Sequence, residues 1–500
     1  MQEGHPERLM TALRKYLSTP IEALLQRHLT KSPEEAAVEL FQSVATTVPA
    51  YQAFLRERNI DPEEIQTVTD FHKIPPVTKE NYIQRYPLAD LCREGRLQSC
   101  DFIAVSSGST GAPTFWPRFA SDEVAIAARF EQIFYDSFHA DTLPTLAVVC
   151  FALGTWVGGT YTTGCCRLLA AKGYPITVIS PGNNKQEILR VVRELAPAFA
   201  QIVLLGYPPF LKDVIDSGRA AGIEWARHGV KIVCAGEVFS EEWRALVGER
   251  TGSSLPECDS ASLYGTADAG VLGNETPLSI RIRRFLADRP EAARALFGES
   301  RLPTLVQYDP ISRFFESTPE GLLFSGDNGI PLVRYNILDT GGLISYDDLL
   351  EFLARWGYDP LPDLRLAGLR GVRPLPFVYV FGRSNFTISY FGANIYPENI
   401  SVGLEQPHVK EWVTGKFVLQ VAEDDDRNSH LSVTVELVPG VEASETQREA
   451  IAESILAQLL RLNSEFANYV PADYRSPAVT LRPAGDPEYF PAGVKHRYTR

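Results

Sequence analysis

The stretches AQIVLLG (residues 200–206), FLKDVIDSGRAAG (210–222) and VKIVCAG (230–236) set two short apolar runs around one helical segment. Both runs are rich in Val, Ile and Leu without polar alternation, which is typical of strands covered on both faces. Between them, apolar residues recur at helical spacing. This strand, helix, strand order predicts a parallel sheet with helices on both faces.

The same pattern extends to both sides of these stretches. Apolar runs lie at residues 145–153 and 174–180, and helical segments at residues 185–196 and 240–252. The first hundred residues read as helices, and Ser32 before Pro33 predicts a helix start, because a cap hydroxyl and a first-position proline suit the unpaired amide end. We predict an α/β fold class with a large N-terminal domain of mixed or parallel sheets over residues 1–381, beginning with a helical lead-in over residues 1–100.

The pattern changes after residue 381. Two alternating strands surround a polar turn at residues 417–440, and one long amphipathic helix follows at residues 446–466. A chain of 500 residues also exceeds what one compact core supports. We therefore predict a second, small α+β domain over residues 382–500.

The composition excludes several classes of protein. Hydrophobic residues make up 45% and charged residues 22% of the chain, near globular averages. The net charge of −14 argues against a nucleic-acid partner, and the most basic short run, Arg281, Arg283 and Arg284, is predicted to be a solvated helix face. No run approaches the ~18 apolar residues of a membrane span, and the N-terminus lacks a signal-peptide pattern. We expect neither a membrane partner nor secretion.

The seven cysteines include no CxxC pair, so they predict neither a zinc site nor a disulfide scaffold. Cys165 and Cys166 lie in an apolar stretch and are predicted to be buried free thiols. This cysteine usage predicts a cytoplasmic location. The sequence leaves a monomer and a homodimer both open.

A loop rich in glycine and hydroxyl groups, VSSGSTGAPT (residues 105–114), follows the apolar run FIAV. Its glycines permit positive φ and close backbone approach, and its hydroxyls can donate to phosphate oxygens. It lacks the Gly-Lys-Ser/Thr of a P-loop and the Gly-x-Ser-x-Gly of a hydrolase elbow. By itself this loop leaves a phosphate cradle and a plain surface turn both open.

Further polar clusters interrupt the apolar strands in a fixed order: SSGSTG (106–111), CAGEVFS (234–240), SLYGTAD (262–268), PLVRYNILDTG (331–341), VFGRSNFTISYFGANIYPENI (380–400) and FPAGVKHRYTR (490–500). In this order the sequence resembles the adenylate-forming enzymes, which include acyl-CoA synthetases and peptide-synthetase adenylation domains. It looks most like their phenylacetate-CoA ligase branch. Residues 48–87 and GTWVGGTYTTG (154–164) extend the resemblance over nearly the full length, whereas residues 276–316 are longer and more helical than the branch pattern.

The resemblance implies that ATP activates a small-molecule carboxylic acid as acyl-AMP with release of pyrophosphate, and that the acyl group then passes to the thiol of coenzyme A. We expect an aryl or medium-size apolar acid, with ATP and Mg²⁺ as cofactors. The thiol of an acyl carrier protein or an amine is an alternative acceptor. An alternative of another class is a nucleotide-binding protein that has kept the fold and lost turnover.

The resemblance also assigns parts of the nucleotide site. It implies that the glycine loop wraps the β- and γ-phosphates, that Tyr264 stacks on adenine, that Asp339 accepts from the ribose hydroxyls and that Arg383 is its basic partner. The implied nucleotide-binding residues are Ser106, Ser107, Gly108, Ser109, Thr110, Gly111, Gly236, Glu237, Ser262, Tyr264, Gly265, Asp339 and Arg383.

The motif SLYGTAD departs from the family at its acid. Asp268 falls where the family carries the glutamate that holds Mg²⁺, which keeps the charge and the oxygen ligand but shortens the side chain by one methylene. Ala267 replaces a threonine that is usual beside that acid. Thr266 is the candidate for the missing phosphate donor.

The near-terminal Lys495 matches the family's catalytic lysine, a mobile point charge that contacts the α-phosphate and the acyl carboxylate. Arg497 is a rival for this role. Asn385 occupies the hinge position, where the family more often has an acid or a lysine. The resemblance implies a mobile small domain that turns about a hinge near residues 383–386.

The acyl pocket is implied near the segment GTWVGGTYTTG and the residue before Gly236. The candidate pocket residues are Trp156, Gly158, Tyr161 and Ala235. Trp156 and Tyr161 could wall a flat or apolar acyl group, and a place in the core is an equal alternative for both.

Overall fold

The computed structural model describes residues 5–105, 114–155, 157–299, 301–366, 370–383, 388–391, 393–423, 429–463, 466–467, 470–491, 496 and 498–499. The helices are α1 (His5–Ser18), α2 (Ile21–Gln26), α3 (Pro33–Thr47), α4 (Pro49–Arg56), α5 (Val68–Phe71), α6 (Ala120–Asp136), α7 (Val157–Ala171), α8 (Lys185–Leu195), α9 (Pro208–Ala220), α10 (Glu241–Thr251), α11 (Pro256–Asp259), α12 (Pro277–Ala287), α13 (Pro290–Phe297), α14 (Tyr346–Arg355), α15 (Leu361–Leu366), α16 (Pro397–Leu404) and α17 (Glu445–Leu462). Within the described ranges, no helix is long and apolar enough to cross a membrane.

The strands are β1 (Phe102–Val105), β2 (Phe115–Arg118), β3 (Thr145–Val149), β4 (Ile176–Ile179), β5 (Gln201–Gly206), β6 (Val230–Ala235), β7 (Ser260–Thr266), β8 (Gly270–Asn274), β9 (Thr304–Gln307), β10 (Phe314–Thr318), β11 (Gly321–Gly326), β12 (Leu332–Asn336), β13 (Asp339–Ile344), β14 (Phe377–Arg383), β15 (Ile388–Tyr390), β16 (Ala393–Ile395), β17 (Val413–Glu423), β18 (Ser429–Leu437) and β19 (Ala478–Arg482).

A nine-stranded sheet, ordered β13-β14-β9-β8-β7-β6-β5-β3-β4, organises the larger part of the chain. Strands β4, β3, β5, β6 and β7 pair in parallel, and the remaining strands pair antiparallel. The predicted α/β fold class is therefore confirmed.

Both faces of the parallel strands are buried, which explains why these runs show no polar alternation. In β5, Val203 and Leu205 pack in a core with α6 and α7, whereas Ile202 and Leu204 pack in a core with α8, α9 and α10. Successive strand residues point to opposite faces. Apolar residues are thus needed at every position.

The helical lead-in packs against the three-stranded sheet β10-β11-β12. Its helix α3 begins as the sequence predicts, because the Ser32 hydroxyl accepts a hydrogen bond of 3.2 Å from the Glu35 amide and Pro33 is the first helical residue. Farther along, the backbone of Val77 bridges to Tyr335 of β12. This bridge fixes the lead-in at Val77 beside the three-stranded sheet.

The C-terminal part has a core of its own, whose buried residues run from Tyr390 to Val479. Strand β17 pairs antiparallel with β18, as the alternating pattern predicts, and β19 joins β18 in parallel. Helices α16 and α17 pack on this sheet. The predicted boundary after residue 381 falls within β14, the last strand of the nine-stranded sheet in chain order.

The prediction of a solvated arginine face on α12 is wrong for Arg283. Its guanidinium is buried and donates to the Glu241 carboxylate at 2.7 Å and to the Pro303 carbonyl at 3.0 Å. Arg281 and Arg284 both pair with Glu257. This face is turned towards the protein because it forms ion pairs with acidic residues of neighbouring helices. A short run of sequence does not show such partners.

The predicted buried thiols are confirmed: Cys165 and Cys166 are both free and buried in α7. Burial raises the pKa of the Cys166 thiol to about 12. Both thiols are therefore inert at neutral pH.

Candidate functional site

Three of the six ordered motifs meet at the carboxyl ends of β6 and β7. Gly236 follows β6 directly, and Ala235 of β6 lies beside Leu263 of β7. Tyr264, the next residue of β7, reaches Asp339 at the start of β13. In sheets of this kind, ligands bind outside the carboxyl ends of the parallel strands. We take this edge as the candidate active site.

Tyr264 and Asp339 form a buried pair. The Tyr264 hydroxyl donates a hydrogen bond of 2.8 Å to Oδ2 of Asp339, and both residues are buried. The Tyr264 ring stacks on Phe315, with 6.4 Å between centroids and 24° between planes. Asp339 lies directly opposite Arg383 in the antiparallel register of β13 and β14. The structure thus brings together three residues that the resemblance assigns to adenosine.

Gly236 lies at a close contact with an aromatic ring. Its φ is +85°, and a Cβ on it would lie 2.8 Å from Cε1 of Tyr207. The Tyr207 ring meets the Phe151 ring edge to face at 5.0 Å. Phe151 in turn lies 3.6 Å from where a Cβ of Gly158 would be. Two rings therefore connect Gly236, an implied nucleotide-binding residue, with Gly158 of the candidate acyl pocket.

Phe151 and Tyr207 were not among the predicted site residues. A signal was available, because Tyr207 follows β5 directly and Phe151 comes two residues after the end of β3. Residues just beyond parallel strands lie near the ligand edge of such sheets. Phe151 itself is buried in the core with α6 and α7, and Tyr207 packs against that core.

Tyr161 lies in the core beneath α6. Its side chain is buried among residues of α6 and α7, and its hydroxyl has no hydrogen-bond partner among the described residues. Burial raises its pKa well above the ordinary value. Gly270 is its neighbour, since Cε1 of Tyr161 lies 3.6 Å from where a Cβ of Gly270 would be.

Asp268 is enclosed by three groups that the sequence analysis did not connect with it. The Tyr335 hydroxyl donates to Oδ2 at 2.5 Å, and the Lys79 ammonium lies 4.0 Å from Oδ1. The Arg118 guanidinium donates to the backbone carbonyls of Ala267 and, at 3.2 Å, of Asp268 itself. A buried carboxylate is thereby compensated by a hydroxyl and a nearby cation.

These contacts do not fit a magnesium ion held by the protein. Magnesium prefers six oxygen ligands at about 2.0–2.1 Å, but one oxygen of Asp268 accepts from Tyr335 and the other faces an ammonium. In the described part of the chain, no three His, Cys, Asp or Glu side chains converge in a way that could hold a metal. The assignment of Mg²⁺ to Asp268 stays a prediction.

The other residues of the SLYGTAD motif stabilise the strand and the turn in which they lie. The Thr266 hydroxyl accepts a hydrogen bond of 3.2 Å from the Ala269 amide. Gly265 is required by packing, because a Cβ there would lie 2.6 Å from the Gly270 carbonyl oxygen. The Ser262 amide donates to the buried Glu275 carboxylate at 2.8 Å.

Glu275 anchors a buried ion network behind the site. It accepts two hydrogen bonds, of 2.8 and 2.9 Å, from Arg244. Arg244 also donates to Glu241 at 2.9 Å, and Glu241 pairs with Arg283. The network fixes β7 relative to α10, which follows the CAGEVFS motif.

The C-terminal segment contacts the same edge. The Tyr498 hydroxyl donates to Glu237 of the CAGEVFS motif at 2.7 Å. On the other side, the Leu419 amide of β17 donates to the Tyr498 carbonyl at 2.7 Å. The His496 ring contacts the Phe417 carbonyl at 2.7 Å, and burial lowers its pKa to about 4. The described residues around the predicted catalytic lysine are thus fixed in place.

Several predicted site residues lie outside the described residues, and for Arg383 only the backbone is described. The predicted site residues outside the described ranges are Ser106, Ser107, Gly108, Ser109, Thr110, Gly111, Trp156, Asn385, Lys495 and Arg497.

Comparison with known proteins gives likeness in structure without likeness in sequence. No protein-family model matches the chain, and no curated protein matches it. Among solved structures, 2-hydroxyisobutyryl-CoA ligase in the postadenylation state with R3-HIB-AMP matches with a TM-score of 0.65 at 14% identity, over 97% of this chain and 91% of that chain. The same ligase with 2-HIB-AMP and CoA in the thioesterification state matches with a TM-score of 0.51 at 15% identity, over 97% and 91% of the two chains.

At this level of identity the likeness concerns the fold, and it spans nearly all of both chains. The predicted architecture is confirmed, while the phenylacetate-CoA ligase branch is not distinguished. The chain has the fold of the adenylate-forming acyl-CoA ligases, as its six ordered motifs predict.

Proposed function

We propose that this chain is an AMP-forming acid–thiol ligase. One observation carries the proposal: the hydrogen bond from Tyr498 to Glu237 joins the segment beside Lys495 to the strand edge where the implied adenosine residues meet. A catalytic lysine from this segment has to act at the edge where the nucleotide binds, and the contact brings Tyr498, three positions after Lys495, to that edge.

In the proposed first step, a carboxylate oxygen of the acid attacks the α-phosphorus of ATP. The bond from that phosphorus to the bridging oxygen breaks, and pyrophosphate leaves. Two anions must approach each other, so the site has to neutralise charge and align the reactants. We assign alignment of the nucleotide to Tyr264, Asp339 and the loop at Gly236, and charge neutralisation at the α-phosphate to Lys495.

In the proposed second step, a thiol sulfur attacks the acyl carbon, AMP leaves and the thiol proton is released. Coenzyme A is the proposed acceptor, with a carrier-protein thiol or an amine as alternatives. Since Asp268 is already engaged by Tyr335 and faces Lys79, we propose that magnesium arrives with the phosphates of ATP, which are its usual partners.

We also propose that residues 382–500 form a domain that turns about residues 383–386 between the two steps. The separate core from Tyr390 to Val479 supports this division. The TM-scores to one and the same ligase support two arrangements, since they fall from 0.65 in its postadenylation state to 0.51 in its thioesterification state. The higher TM-score supports assigning this structure to the former arrangement.

The acid is proposed to be aryl or of medium size and apolar. The support is the pair of aromatic rings, Phe151 and Tyr207, that lie next to Gly158 and Gly236. Hydrophobic and aromatic side chains line most small-molecule sites.

Carboxylate-dependent exchange of labelled pyrophosphate into ATP tests the function. A panel of aryl and medium-size apolar acids should include at least one that supports exchange. Lys495→Ala should abolish the exchange and spare ATP binding. Arg497→Ala should retain the exchange. An absence of exchange with every acid would contradict the proposal.

The second candidate function is nucleotide binding without turnover. It is favoured by one observation, the replacement of the family's usual Thr-Glu by Ala267 and an enclosed Asp268. ATP binding without exchange would identify it.

Mass analysis of products with and without coenzyme A separates the acceptors.

A further inference from the structure

Lys79 lies at a fixed point beside the candidate site. It is the first residue of a short π-helical turn, Lys79–Ile83. Thr78 caps this turn, since its hydroxyl accepts from the Asn81 amide at 3.1 Å. The preceding Val77 is hydrogen-bonded to β12 at both its amide and its carbonyl, at 3.1 and 2.9 Å. The backbone next to Lys79 is therefore held against β12.

The Lys79 ammonium has attraction on two sides but no hydrogen bond among the described residues. It lies 4.0 Å from Oδ1 of Asp268 and 5.9 Å from the centroid of the Trp116 ring. Its side chain keeps 20% of its surface exposed. An ammonium carries three N–H donors, so this group can still bind an acceptor.

A buried lysine that pairs directly with a buried acid, and that also donates to the Thr19 carbonyl at 2.8 Å, lies closer to its acid in this same chain. The Lys172 ammonium lies 2.7 Å from Glu131, and its side chain is 8% exposed. Charge-assisted hydrogen bonds of this kind normally measure about 2.7–2.9 Å. By comparison, the Lys79 ammonium lies farther from its acid, at 4.0 Å from Asp268, and can still donate to an anion.

The surroundings of Lys79 belong to two motifs of the implied phosphate side. Asp268 ends the SLYGTAD motif, whose Tyr264 bonds the implied ribose acid. Trp116 belongs to β2, which pairs with β1, and β1 ends at Val105 immediately before the glycine-rich loop. That loop has no lysine of its own.

We propose that Lys79 binds the β- and γ-phosphates of the nucleotide from the large domain. The inference rests on the proposed function for the identity of the ligand. Lys79 would supply a second positive charge, which stays with the large domain when the C-terminal segment moves. Its role is binding and alignment of the leaving pyrophosphate.

Calorimetric titration with ATP and, separately, with AMP tests this inference. Lys79→Ala should weaken ATP binding by at least about tenfold, the loss expected for hydrogen bonds to a charged group, and leave AMP binding within about twofold. Lys79→Arg keeps the charge and should bind ATP within about threefold of the wild type. The matched control is Lys73→Ala in the same segment, since Lys73 is exposed and, in the part of the chain that the structure describes, pairs with Asp70 alone.

The double variant Lys79→Met with Asp268→Asn distinguishes phosphate binding by Lys79 from a purely structural role in compensating the charge of Asp268. This variant removes both charges, so it should recover the thermal stability that Lys79→Ala loses while still binding ATP weakly. Full recovery of ATP affinity in the double variant would overturn the inference. Equal weakening of ATP and AMP binding by Lys79→Ala would overturn it as well.

Failure of the proposed function gives a different result. A wild type that binds ATP but supports no acid-dependent exchange overturns the ligase proposal, and the titrations still decide the role of Lys79. A wild type that exchanges pyrophosphate, with Lys79→Ala unchanged in ATP affinity, overturns the inference alone.

Discussion

The hydroxyl of Tyr498 donates a hydrogen bond of 2.7 Å to the carboxylate of Glu237, which lies 261 residues earlier in the chain. Glu237 follows the glycine at the end of β6, and Tyr498 is fixed to β17 through its carbonyl. The two residues thus connect the C-terminal sheet with the edge of the nine-stranded sheet. A contact between a phenol and a carboxylate is strong when made and readily replaced by water when broken, which suits two arrangements.

Tyr498→Phe should weaken the arrangement in this structure. A hydrogen bond to a charged group contributes about 1.5 kcal/mol or more, so the variant should favour other positions of the C-terminal part. We expect slower pyrophosphate exchange and a smaller effect on thioester formation from supplied acyl-AMP. Tyr474→Phe, in the same C-terminal part, is the control and should change neither rate. Equal slowing of both half-reactions by Tyr498→Phe would contradict the prediction.

Tyr264 and Asp339 should decide how the nucleotide sugar is recognised. If Asp339 accepts from both ribose hydroxyls, the wild type should prefer ATP to 2′-deoxy-ATP, and Asp339→Asn should reduce that preference. Tyr264→Phe removes the hydrogen bond that orients Asp339 and should raise the KM for ATP about three- to tenfold, given about 1 kcal/mol for such a bond. Steady-state exchange kinetics with both nucleotides provide the measurement. A wild type indifferent to the 2′-hydroxyl would contradict the assigned role.

The fold was predictable from the sequence for strands that are buried on both faces. The runs that became β3, β5 and β6 are apolar at nearly every position because both faces are covered. The resemblance assigns Asp339 and Arg383 to one site, and the backbone register of β13 and β14 places these two positions opposite each other; their pairing through side chains stays a prediction.

Partners from distant parts of the chain were not predictable. Lys79 lies 189 positions before Asp268 in the sequence, and Glu275 reaches Arg244 from a different element. Such pairs depend on how elements pack in three dimensions, and charged residues carry no periodic signal. The same reason explains the incorrect assignment of Arg283 to a solvated face.

Glu275→Gln should destabilise the whole large domain. Glu275 is buried and accepts from Arg244 and from the Ser262 amide. The amide keeps the shape but leaves the buried guanidinium groups of Arg244 and Arg283 to share the Glu241 carboxylate, and breaking a buried ion pair in this way costs about 3–5 kcal/mol. Denaturant unfolding gives the free energy. Glu187→Gln on the exposed face of α8 is the control and should leave it unchanged. A loss in Glu275→Gln no larger than in the control would contradict the role of the network.

The burial of Glu405 should make the C-terminal arrangement sensitive to pH. Glu405 follows α16 directly, and the Ser240 hydroxyl, which caps α10, donates to it. Burial raises the pKa of Glu405 from the ordinary 4.5 to about 8; the charge of Glu242 adds to the rise, whereas the hydrogen bond from Ser240 and the charges of Lys212 and Arg283 oppose it. The folded protein therefore holds a proton on Glu405 that the unfolded chain releases above pH 4.5.

Because the folded pKa is the higher one, this stabilisation is complete below about pH 4.5 and is lost as the pH rises through 8. Between pH 6.5 and 8 the wild type should lose about 1–2 kcal/mol more stability than Glu405→Gln, which cannot ionise. His496 stays neutral over this range, since burial lowers its pKa to about 4. Thermal unfolding of both proteins across the range measures the difference, with Glu411→Gln, an exposed acid that pairs with Arg250 of α10, as the control. Parallel pH profiles for the wild type and Glu405→Gln would exclude Glu405 as the titrating group.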